Sequence, residues 1–295
     1  MQTLVNTLLK ENRLTKRKTE LLKRMWAREN NSKMPLNSEI WTNCSDNAKE
    51  KLRYVLNTKP TRNLAGVSII AIMPKPDGCP ARCTFCPEGK NAPKSYTGFE
   101  PSTMRSIRNN FDSYKTVSER LKSLANTGHI TDKNELIIQG GTFPAYPWDY
   151  QKDFVKRAFD GFNGKFSETL EEAKKINETS EHRCIGLTVE TRPDWIFIDK
   201  FLELGCTRIE MGLQAPYDDV LDAVNRGHSV QQFKDAVKIL KEAGFKILYH
   251  IMPGLPNSNL ERDLKAIDII FEDEELKPDM FKIYPTLVMP DTELY

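Results

Sequence analysis

The 295-residue sequence predicts an α/β fold organised around a six-stranded parallel sheet. Six short, continuous apolar runs are typical of strands covered on both faces, and they lie at 67–73, 135–139, 184–190, 207–213, 246–252 and 280–285. Patterns of helical period separate these runs, for example at 149–161, 166–181, 194–203, 229–243 and 259–272. Because strand and helix alternate, we expect parallel strands joined by right-handed crossovers.

The strand count indicates which parallel architecture the chain adopts. A complete eight-stranded barrel needs roughly 250 residues, whereas the sixth strand here begins near residue 280 and the chain ends at Tyr295. We therefore predict an open (partial TIM) six-stranded parallel barrel, with a doubly wound sheet as the second choice. The last residues, "MPDTELY", follow a strand with no closing helix, so we also expect the barrel to be truncated at its C-terminal end.

Composition limits the class of protein. Apolar residues make up 39% of the chain and charged residues 28%, as in ordinary globular proteins. The sequence contains no run of about 18 apolar residues, so we expect no membrane span. The charged N-terminus also lacks the apolar segment of a secretory signal. We expect a cytoplasmic protein, and in that reducing compartment clustered cysteines bind metals or do chemistry more often than they form disulfides.

The first 58 residues predict a basic, helical extension that precedes a core of residues 59–295. Residues 1–35 contain nine Lys or Arg and three Glu, a net charge of +6 that leaves −4 for the remainder. An apolar stripe at helical spacing runs along this segment, formed by Leu14, Leu21, Leu22, Met25 and Trp26, and residues 29–40 then predict a linker or ordered loop. A basic arm on an acidic body is typical of polyanion binding, and a solvated helix face is the alternative. The candidate nucleic-acid contacts are Lys16, Arg17, Lys18, Lys23 and Arg24.

Three cysteines, Cys79, Cys83 and Cys86, follow the first strand directly with C-x3-C-x2-C spacing. This is the carboxyl end of a parallel strand, where active sites of such folds lie. Three ligands are too few for a structural zinc site, but they can hold three irons of a 4Fe–4S cluster and leave the fourth open to a ligand. The alternative is a zinc site completed by Cys184, Cys206 or His250. Otherwise Cys44, Cys184 and Cys206 are expected to be buried as small apolar residues.

Polar residues also follow the other predicted strands. "QGGT" (139–142) ends the second strand, and its paired glycines permit close approach of a ligand to the backbone or form a tight turn. After the third strand, Glu190 could accept hydrogen bonds from a ribose, and Arg192 could pair with a carboxylate or phosphate or form a surface salt bridge. The remaining strand ends place Gln214 on the fourth strand, His250, Met252 and Gly254 on the fifth, and Lys282 and Tyr284 on the sixth. His250 could also be a core histidine.

The cysteine motif resembles that of radical S-adenosylmethionine (SAM) enzymes, in which an aromatic residue, here Phe85, often precedes the third cysteine. The resemblance implies that the open iron chelates the amino and carboxylate groups of SAM, whose cleavage gives a 5′-deoxyadenosyl radical. It also implies a radical SAM type of partial barrel, with Gly140, Gly141 and Thr142 near the SAM amino group. Phe85, Glu190, Gln214, His250 and Met252 would complete the cofactor pocket.

Longer segments resemble one radical SAM family, that of the Elongator catalytic subunit. They cover nearly the whole chain in family order and include "KPTRNLAGVSIIAIMPKP" (59–76), "KSYTGFEPSTMRSIRNNFDSY" (94–114), "GHITDKNELIIQGGTF" (128–143), "YDDVLDAVNRGHSV" (217–230) and "KIYPTLVMPDTELY" (282–295). The resemblance implies that the enzyme uses SAM and acetyl-CoA to form 5-carboxymethyluridine at the wobble position of tRNA.

The same resemblance implies roles for further residues and for partners. Lys133 would be tied to acetyl-CoA, the N-terminal region would contact tRNA, and Lys94 and Tyr96 suit a flipped base or a phosphate. Lys282 and Tyr284 join the three cysteines as catalytic candidates. Family members carry a C-terminal acetyltransferase domain that these 295 residues lack, so another domain or chain would supply that half of the reaction. A homodimer or other Elongator subunits are the possible protein partners.

Two alternative functions remain open. The chain could be a tRNA-binding module with a non-catalytic iron–sulfur cluster, which SAM cleavage would distinguish from an enzyme. It could also be a radical SAM enzyme for another substrate, such as a methylthiotransferase or a porphyrin-pathway enzyme. A methylthiotransferase would carry three more cysteines in an N-terminal domain, where only Cys44 lies.

Overall fold

A computed structural model describes residues 1–77 and 79–295, except for the side chains of Pro60 and Arg62. Six strands form one parallel sheet in the order β1-β2-β3-β4-β5-β6. They are β1 (Ser68–Ile72), β2 (Lys133–Ile138), β3 (Arg183–Thr191), β4 (Arg208–Gln214), β5 (Lys246–Ile251) and β6 (Met280–Ile283). A doubly wound sheet would reverse its strand order at a switch point. Since each strand lies beside its neighbour in sequence, the predicted open six-stranded barrel is confirmed.

Helices connect the strands and form most of the N-terminal region. They are α1 (Gln2–Lys10), α2 (Lys16–Glu29), α3 (Asn37–Thr42), α4 (Asp46–Leu56), α5 (Pro101–Arg108), α6 (Ser113–Ala125), α7 (Trp148–Asn163), α8 (Leu170–Asn177), α9 (Ile198–Leu204), α10 (Asp218–Ala223), α11 (Val230–Glu242) and α12 (Leu260–Glu272). The predictions for α7, α11 and α12 are confirmed to within two residues.

Other predicted helix limits are wrong for local reasons. The helix predicted at 166–181 is only α8, because the Thr169 hydroxyl accepts from the Glu172 N–H at 3.1 Å and so caps the helix start. The helix predicted from residue 194 begins at Ile198, because a turn in which the Trp195 N–H donates to the Arg192 carbonyl precedes it. The loop predicted at 29–40 contains the start of α3, where the Glu39 carboxylate accepts from the Leu36 N–H at 2.8 Å.

The register of the sheet places four polar side chains on one face. Glu190 of β3 pairs with Glu210 of β4, and His250 of β5 pairs with Gly212 of β4 and with Lys282 of β6. Because side chains alternate between faces, residues two positions apart share a face. The β4–β5 register shifts between Gly212 and Gln214, and Gln214 has a φ of +69°. Such a bulge redirects a side chain and is common beside active sites.

The described chain divides into two compact units. The first comprises Met1–Ile69 and Ser118–Asn134, and the second Ile70–Val117 and Glu135–Tyr295. In the first unit, residues from α1, α3 and α4 form a core that includes Leu4, Leu8, Ile40, Trp41 and Leu52. The apolar stripe predicted for the N-terminal segment is only partly buried. Leu14 is in this core and Leu22 and Trp26 pack against it, whereas Leu21 and Met25 are exposed. The domain division at residue 58 stays a prediction.

Within the described residues, no helix is long and apolar enough to cross a membrane. The cytoplasmic location stays a prediction.

Candidate active site

A cavity of about 710 Å³ lies at the carboxyl ends of the strands in the second unit. Its walls come from the segments that end or follow all six strands, which is where ligands bind in parallel α/β folds. Most of the residues predicted from the strand ends meet here. Those that line the cavity are Cys79, Cys83, Phe85, Cys86, Tyr96, Gln139, Gly141, Thr142, Glu190, Arg192, Gln214, His250, Met252 and Tyr284.

The three motif cysteines line this cavity as free cysteines. A turn in which the Cys86 N–H donates to the Cys83 carbonyl at 3.2 Å brings the second and third cysteines together. Apolar packing anchors the loop, because Ala81, Cys83 and Phe85 are buried in a cluster that contains Val220, Val224 and Leu255. The fold therefore holds these side chains at the cavity through the loop's own buried residues.

Each motif sulfur has one polar neighbour from elsewhere in the unit. Thr142 Oγ1 is 3.4 Å from Cys79 Sγ, Arg226 Nη1 donates to Cys83 Sγ at 3.4 Å, and Ser95 Oγ is 3.2 Å from Cys86 Sγ. A hydrogen bond with Cys86, together with the charge of Arg226, lowers the pKa of Cys83 and favours its thiolate form. Soft thiolates of this kind suit an iron–sulfur cluster.

The remaining cysteines lie elsewhere. Cys184 lies at the start of β3 and Cys206 precedes β4, at the amino ends of the strands. Their sulfurs contact backbone carbonyls, Gly186 O at 3.4 Å and Leu187 O at 3.3 Å, and burial raises the pKa of each thiol to about 12. They are therefore placed to pack and not to complete a zinc site with the three motif cysteines. Cys44 is buried in the core of the first unit.

The loop after β2 depends on two glycines. Gly140 and Gly141 have φ values of +125° and +84°, in the region that favours glycine. A Cβ on Gly140 would lie 3.0 Å from Pro93 Cβ, and one on Gly141 would lie 3.7 Å from Cys79 Sγ. The Gly140 N–H donates to Glu190 Oε2 at 3.0 Å. These glycines bring the β2 backbone close to both the cysteine loop and the β3 carboxylate.

Glu210, which was not among the predicted site residues, connects β4, β5 and β6. Its buried carboxylate accepts hydrogen bonds from His250 Nε2 and Lys282 Nζ. Burial alone would raise the pKa of Glu210, but His250 and Lys282 outweigh burial and hold the pKa below its usual value. The neighbouring Glu190 has a raised pKa, because it is buried and faces the charge of Glu210. Environments that push the pKa values of two carboxylates apart are typical of acid–base sites. The signal in the sequence that could have identified Glu210 is its position as a lone glutamate in the apolar strand "TRIEMGLQ".

Several buried acceptors at the cavity lack a partner among the described atoms. They are Gln139 Oε1, Gln214 Oε1 and Glu210 Oε2. Buried polar atoms in proteins are almost always hydrogen-bonded, so a polar ligand with several donors fits this cavity. The rings of Tyr284 and His250 meet at 5.4 Å between centroids, and Tyr284 is half exposed.

Two buried arginines hold the loop that follows α10. Arg192 pairs with Asp194 at 2.8 Å and donates to the carbonyls of Arg226 and Gly227 at 2.9 and 3.3 Å. The alternative of a surface salt bridge for Arg192 is wrong, because its side chain is buried. Arg226 lies in the segment "YDDVLDAVNRGHSV" and was not among the predicted site residues. Its contact with Cys83 joins residues 143 positions apart.

Other predicted site residues lie away from the cavity lining or have partners of their own. Lys133 is exposed at the start of β2, 3.7 Å from Asp132, and Lys94 pairs with Glu88 at 2.7 Å. On α2, Lys16, Arg17 and Arg24 are exposed and Lys18 pairs with Glu11. Lys23 is buried, and its ammonium bonds Glu20 at 2.9 Å and Asn37 at 2.8 Å. Lys23 thus helps to hold the first unit together.

Comparison with known proteins gives the class of this site. Residues 73–269 match the Radical SAM superfamily, which is more than half of the chain, and the chain belongs to that superfamily. Membership implies a 4Fe–4S cluster and SAM, and the three thiols beside a cavity with unpartnered polar atoms fit both.

Individual relatives give a more specific likeness. The chain is 47% identical to the tRNA uridine(34) acetyltransferase of Methanocaldococcus jannaschii over 270 residues, covering 88% of this chain and 50% of that protein. It is 40% identical to Elongator complex protein 3 of Schizosaccharomyces pombe over 261 residues, covering 84% and 48% respectively. The solved structure of archaeal Methanocaldococcus infernus Elp3 with an N-terminal deletion matches with a TM-score of 0.66 and 42% identity, over 78% of this chain and 48% of that one. The chain thus spans about half the length of these relatives.

Proposed function

We propose that this chain is the radical SAM part of a transferase that forms 5-carboxymethyluridine at the wobble position of tRNA, with acetyl-CoA as the carbon donor. The observation that carries the proposal is the set of three free cysteines that line a cavity with unpartnered polar atoms, in a chain 47% identical to a tRNA uridine(34) acetyltransferase. The alternative of a methylthiotransferase or porphyrin-pathway enzyme has no comparable support.

The cavity residues divide into two groups with different tasks. Cys79, Cys83 and Cys86 would hold the cluster, which when bound supplies the electron that cleaves SAM to a 5′-deoxyadenosyl radical. In the same cavity, Glu190 is a fixed acceptor suited to ribose hydroxyls, since Tyr96 and the Gly140 N–H already orient its carboxylate. The unpartnered Gln139 and Gln214 oxygens can accept from further donors of SAM.

The Glu210–His250–Lys282 group offers proton donors at the cavity. Burial opposes a charge on Lys282, but the Glu210 carboxylate prevails and raises the pKa of Lys282, which is therefore protonated at neutral pH. Glu210 holds both His250 and Lys282 in place, while Tyr284 lies against His250. These groups could bind the uridine carbonyls or move a proton during its modification.

The proposals for the remaining partners are based on the named relatives and on the distribution of charge. The exposed basic residues Lys16, Arg17 and Arg24 suit tRNA phosphates, and Lys94 and Tyr96 suit the anticodon. We propose Lys133 as a contact for acetyl-CoA, with an acetyltransferase domain or chain supplying acetyl transfer. Other Elongator subunits or a second copy would complete the assembly in the cytoplasm.

The test is tRNA-dependent SAM cleavage. The reconstituted protein would be incubated anaerobically with SAM, dithionite and a tRNA that carries uridine at position 34, and 5′-deoxyadenosine would be measured. We expect addition of this tRNA to change the rate of 5′-deoxyadenosine formation. The change should be several-fold larger than the change caused by the same tRNA with cytidine at position 34. Equal rates with both tRNAs would contradict a wobble-uridine substrate.

A further inference from the structure

The three cluster cysteines have unequal surroundings. Cys79 and Cys86 each face a neutral hydroxyl, from Thr142 and Ser95, whereas Cys83 faces the guanidinium of Arg226. We propose that Arg226 raises the reduction potential of the iron–sulfur cluster through this contact with Cys83 Sγ. The inference rests on the cluster of the proposed function and is independent of tRNA and acetyl-CoA.

Arg226 is held firmly in this position. Its Nε and Nη2 both donate to the Gly212 carbonyl, at 3.3 and 2.8 Å, which leaves Nη1 directed at Cys83 Sγ. A Cβ on residue 212 would lie 2.7 Å from Arg226 Nη2, so glycine there makes room for the guanidinium. Arg192 fixes the backbone on the other side by donating to the Arg226 carbonyl at 2.9 Å.

Burial strengthens the Arg226–Cys83 contact relative to the Ser95–Cys86 contact. Arg226 is 6% exposed and Cys83 5% exposed, whereas the Ser95–Cys86 contact lies in an exposed place. A charge acts more strongly in such a water-poor site than at the surface, and a charged donor makes a stronger hydrogen bond than a neutral hydroxyl. Positive charge and hydrogen bonds at the ligand sulfurs stabilise the more negative, reduced cluster, and these are the terms that set cluster potentials.

The effect concerns a single step, the one-electron reduction of the cluster by an external low-potential donor. Without Arg226 the reduced cluster would lose the guanidinium that donates to Cys83 Sγ, whereas the charge of the buried Arg192 would remain nearby. The cluster would then form from the same three cysteines but would be harder to reduce. Arg226 therefore acts by placing a positive charge beside Cys83 Sγ and is not itself a cluster ligand.

The experiment is an EPR-monitored redox titration of the reconstituted cluster without SAM, in the wild type, Arg226→Gln, Arg226→Lys and Ser95→Ala. We expect Arg226→Gln to lower the ratio of reduced to oxidised cluster at least tenfold at a fixed potential, a shift of about 59 mV for one electron. Arg226→Lys, which keeps the charge, should stay nearer to the wild type, and Ser95→Ala should change the ratio less than threefold. An unchanged midpoint in Arg226→Gln, or an equal shift in Ser95→Ala, would overturn the inference.

A second measurement needs no variant and covers the case in which Arg226→Gln binds no iron. Wild-type protein labelled with ¹⁵N in arginine would be reduced and examined by pulsed EPR. We expect a ¹⁵N coupling to the cluster, and its absence would overturn the contact. A wild-type protein that binds no iron at all would contradict the radical SAM chemistry itself, so the two failures are distinguishable.

Discussion

The hydroxyl of Tyr96 donates to both carboxylate oxygens of Glu190, at 3.2 Å from Oε1 and 3.3 Å from Oε2. The Gly140 N–H donates to Oε2 at 3.0 Å, so segments that follow β1 and β2 fix a carboxylate that belongs to β3. Burial and the charge of Glu190 also raise the pKa of Tyr96, which keeps its hydroxyl neutral and able to donate. Glu190 is therefore a rigid acceptor at the cavity before any ligand binds.

The first prediction concerns this carboxylate. Glu190→Ala should weaken SAM binding about tenfold to a hundredfold, because a hydrogen bond to a charged group contributes roughly 1.5–3 kcal/mol. The cluster should remain, since Glu190 contacts none of the three sulfurs among the described hydrogen bonds. Anaerobic calorimetry with SAM measures the affinity, and the exposed Glu203→Ala is the matched control. Unchanged affinity would mean that Glu190 has only a structural role.

The second prediction concerns Gly89, in the loop that carries Ser95 to Cys86. The Gly89 N–H donates to the Tyr96 carbonyl at 3.1 Å, and a Cβ on Gly89 would lie 2.7 Å from that oxygen. Because the obstacle is backbone, Gly89→Ala must open the loop, and we expect iron content after reconstitution to fall by more than half. Gly186→Ala is the control, since its Cβ would meet Thr207 Oγ1 at an ordinary 3.4 Å. Equal iron content in the two variants would show that the loop can adjust.

The third prediction is a pH dependence of stability. Burial, helped by the charge of Arg226, lowers the pKa of His228 to about 4, from 6.5 in an unfolded chain. Neutral His228 therefore stabilises the fold fully above about pH 6.5, and this contribution is lost as the pH falls toward 4. Between pH 7.5 and 5.0 the wild type should lose about 2 kcal/mol more free energy of unfolding than His228→Gln. Urea titrations of both proteins at both pH values test this, and parallel pH profiles would assign the loss to other groups.

The fourth prediction concerns the basic face of α2. Since α1 contributes Leu4, Val5 and Leu8 to the core of the first unit, deleting the N-terminus would damage that core. Substitution of the exposed residues is the cleaner test. Arg17→Glu with Arg24→Glu should weaken tRNA binding at least tenfold, about 1.4 kcal/mol. It should also reduce the slope of log affinity against log salt by about 0.9 for each phosphate that the protein no longer neutralises.

Filter binding at several salt concentrations measures both quantities. Lys238→Glu with Lys241→Glu changes the net charge equally on exposed positions of α11 and is the matched control. If both double variants bind tRNA equally, the basic face of α2 is a solvated helix surface.

The sequence predicted the strands and the cysteine loop because both signals are local. A strand buried on both faces is apolar along its length, and the cysteine spacing lies within eight residues. Arg226 and Glu210 could not be assigned in this way. The partner of Arg226 is 143 positions away, and Glu210 acts through β5 and β6 residues 40 and 72 positions away. Lys23 shows the reverse difficulty, since a charge that looked solvent-facing in sequence is buried in the fold and bonded to Glu20 and Asn37.

The most direct measurement is anaerobic reconstitution followed by exposure to SAM and dithionite. We expect about four irons per chain and formation of 5′-deoxyadenosine, both abolished when Cys79, Cys83 and Cys86 are changed to Ala. Iron without SAM cleavage would favour a binding module with a non-catalytic cluster. Stoichiometric zinc with no iron uptake would contradict radical SAM chemistry at these three cysteines.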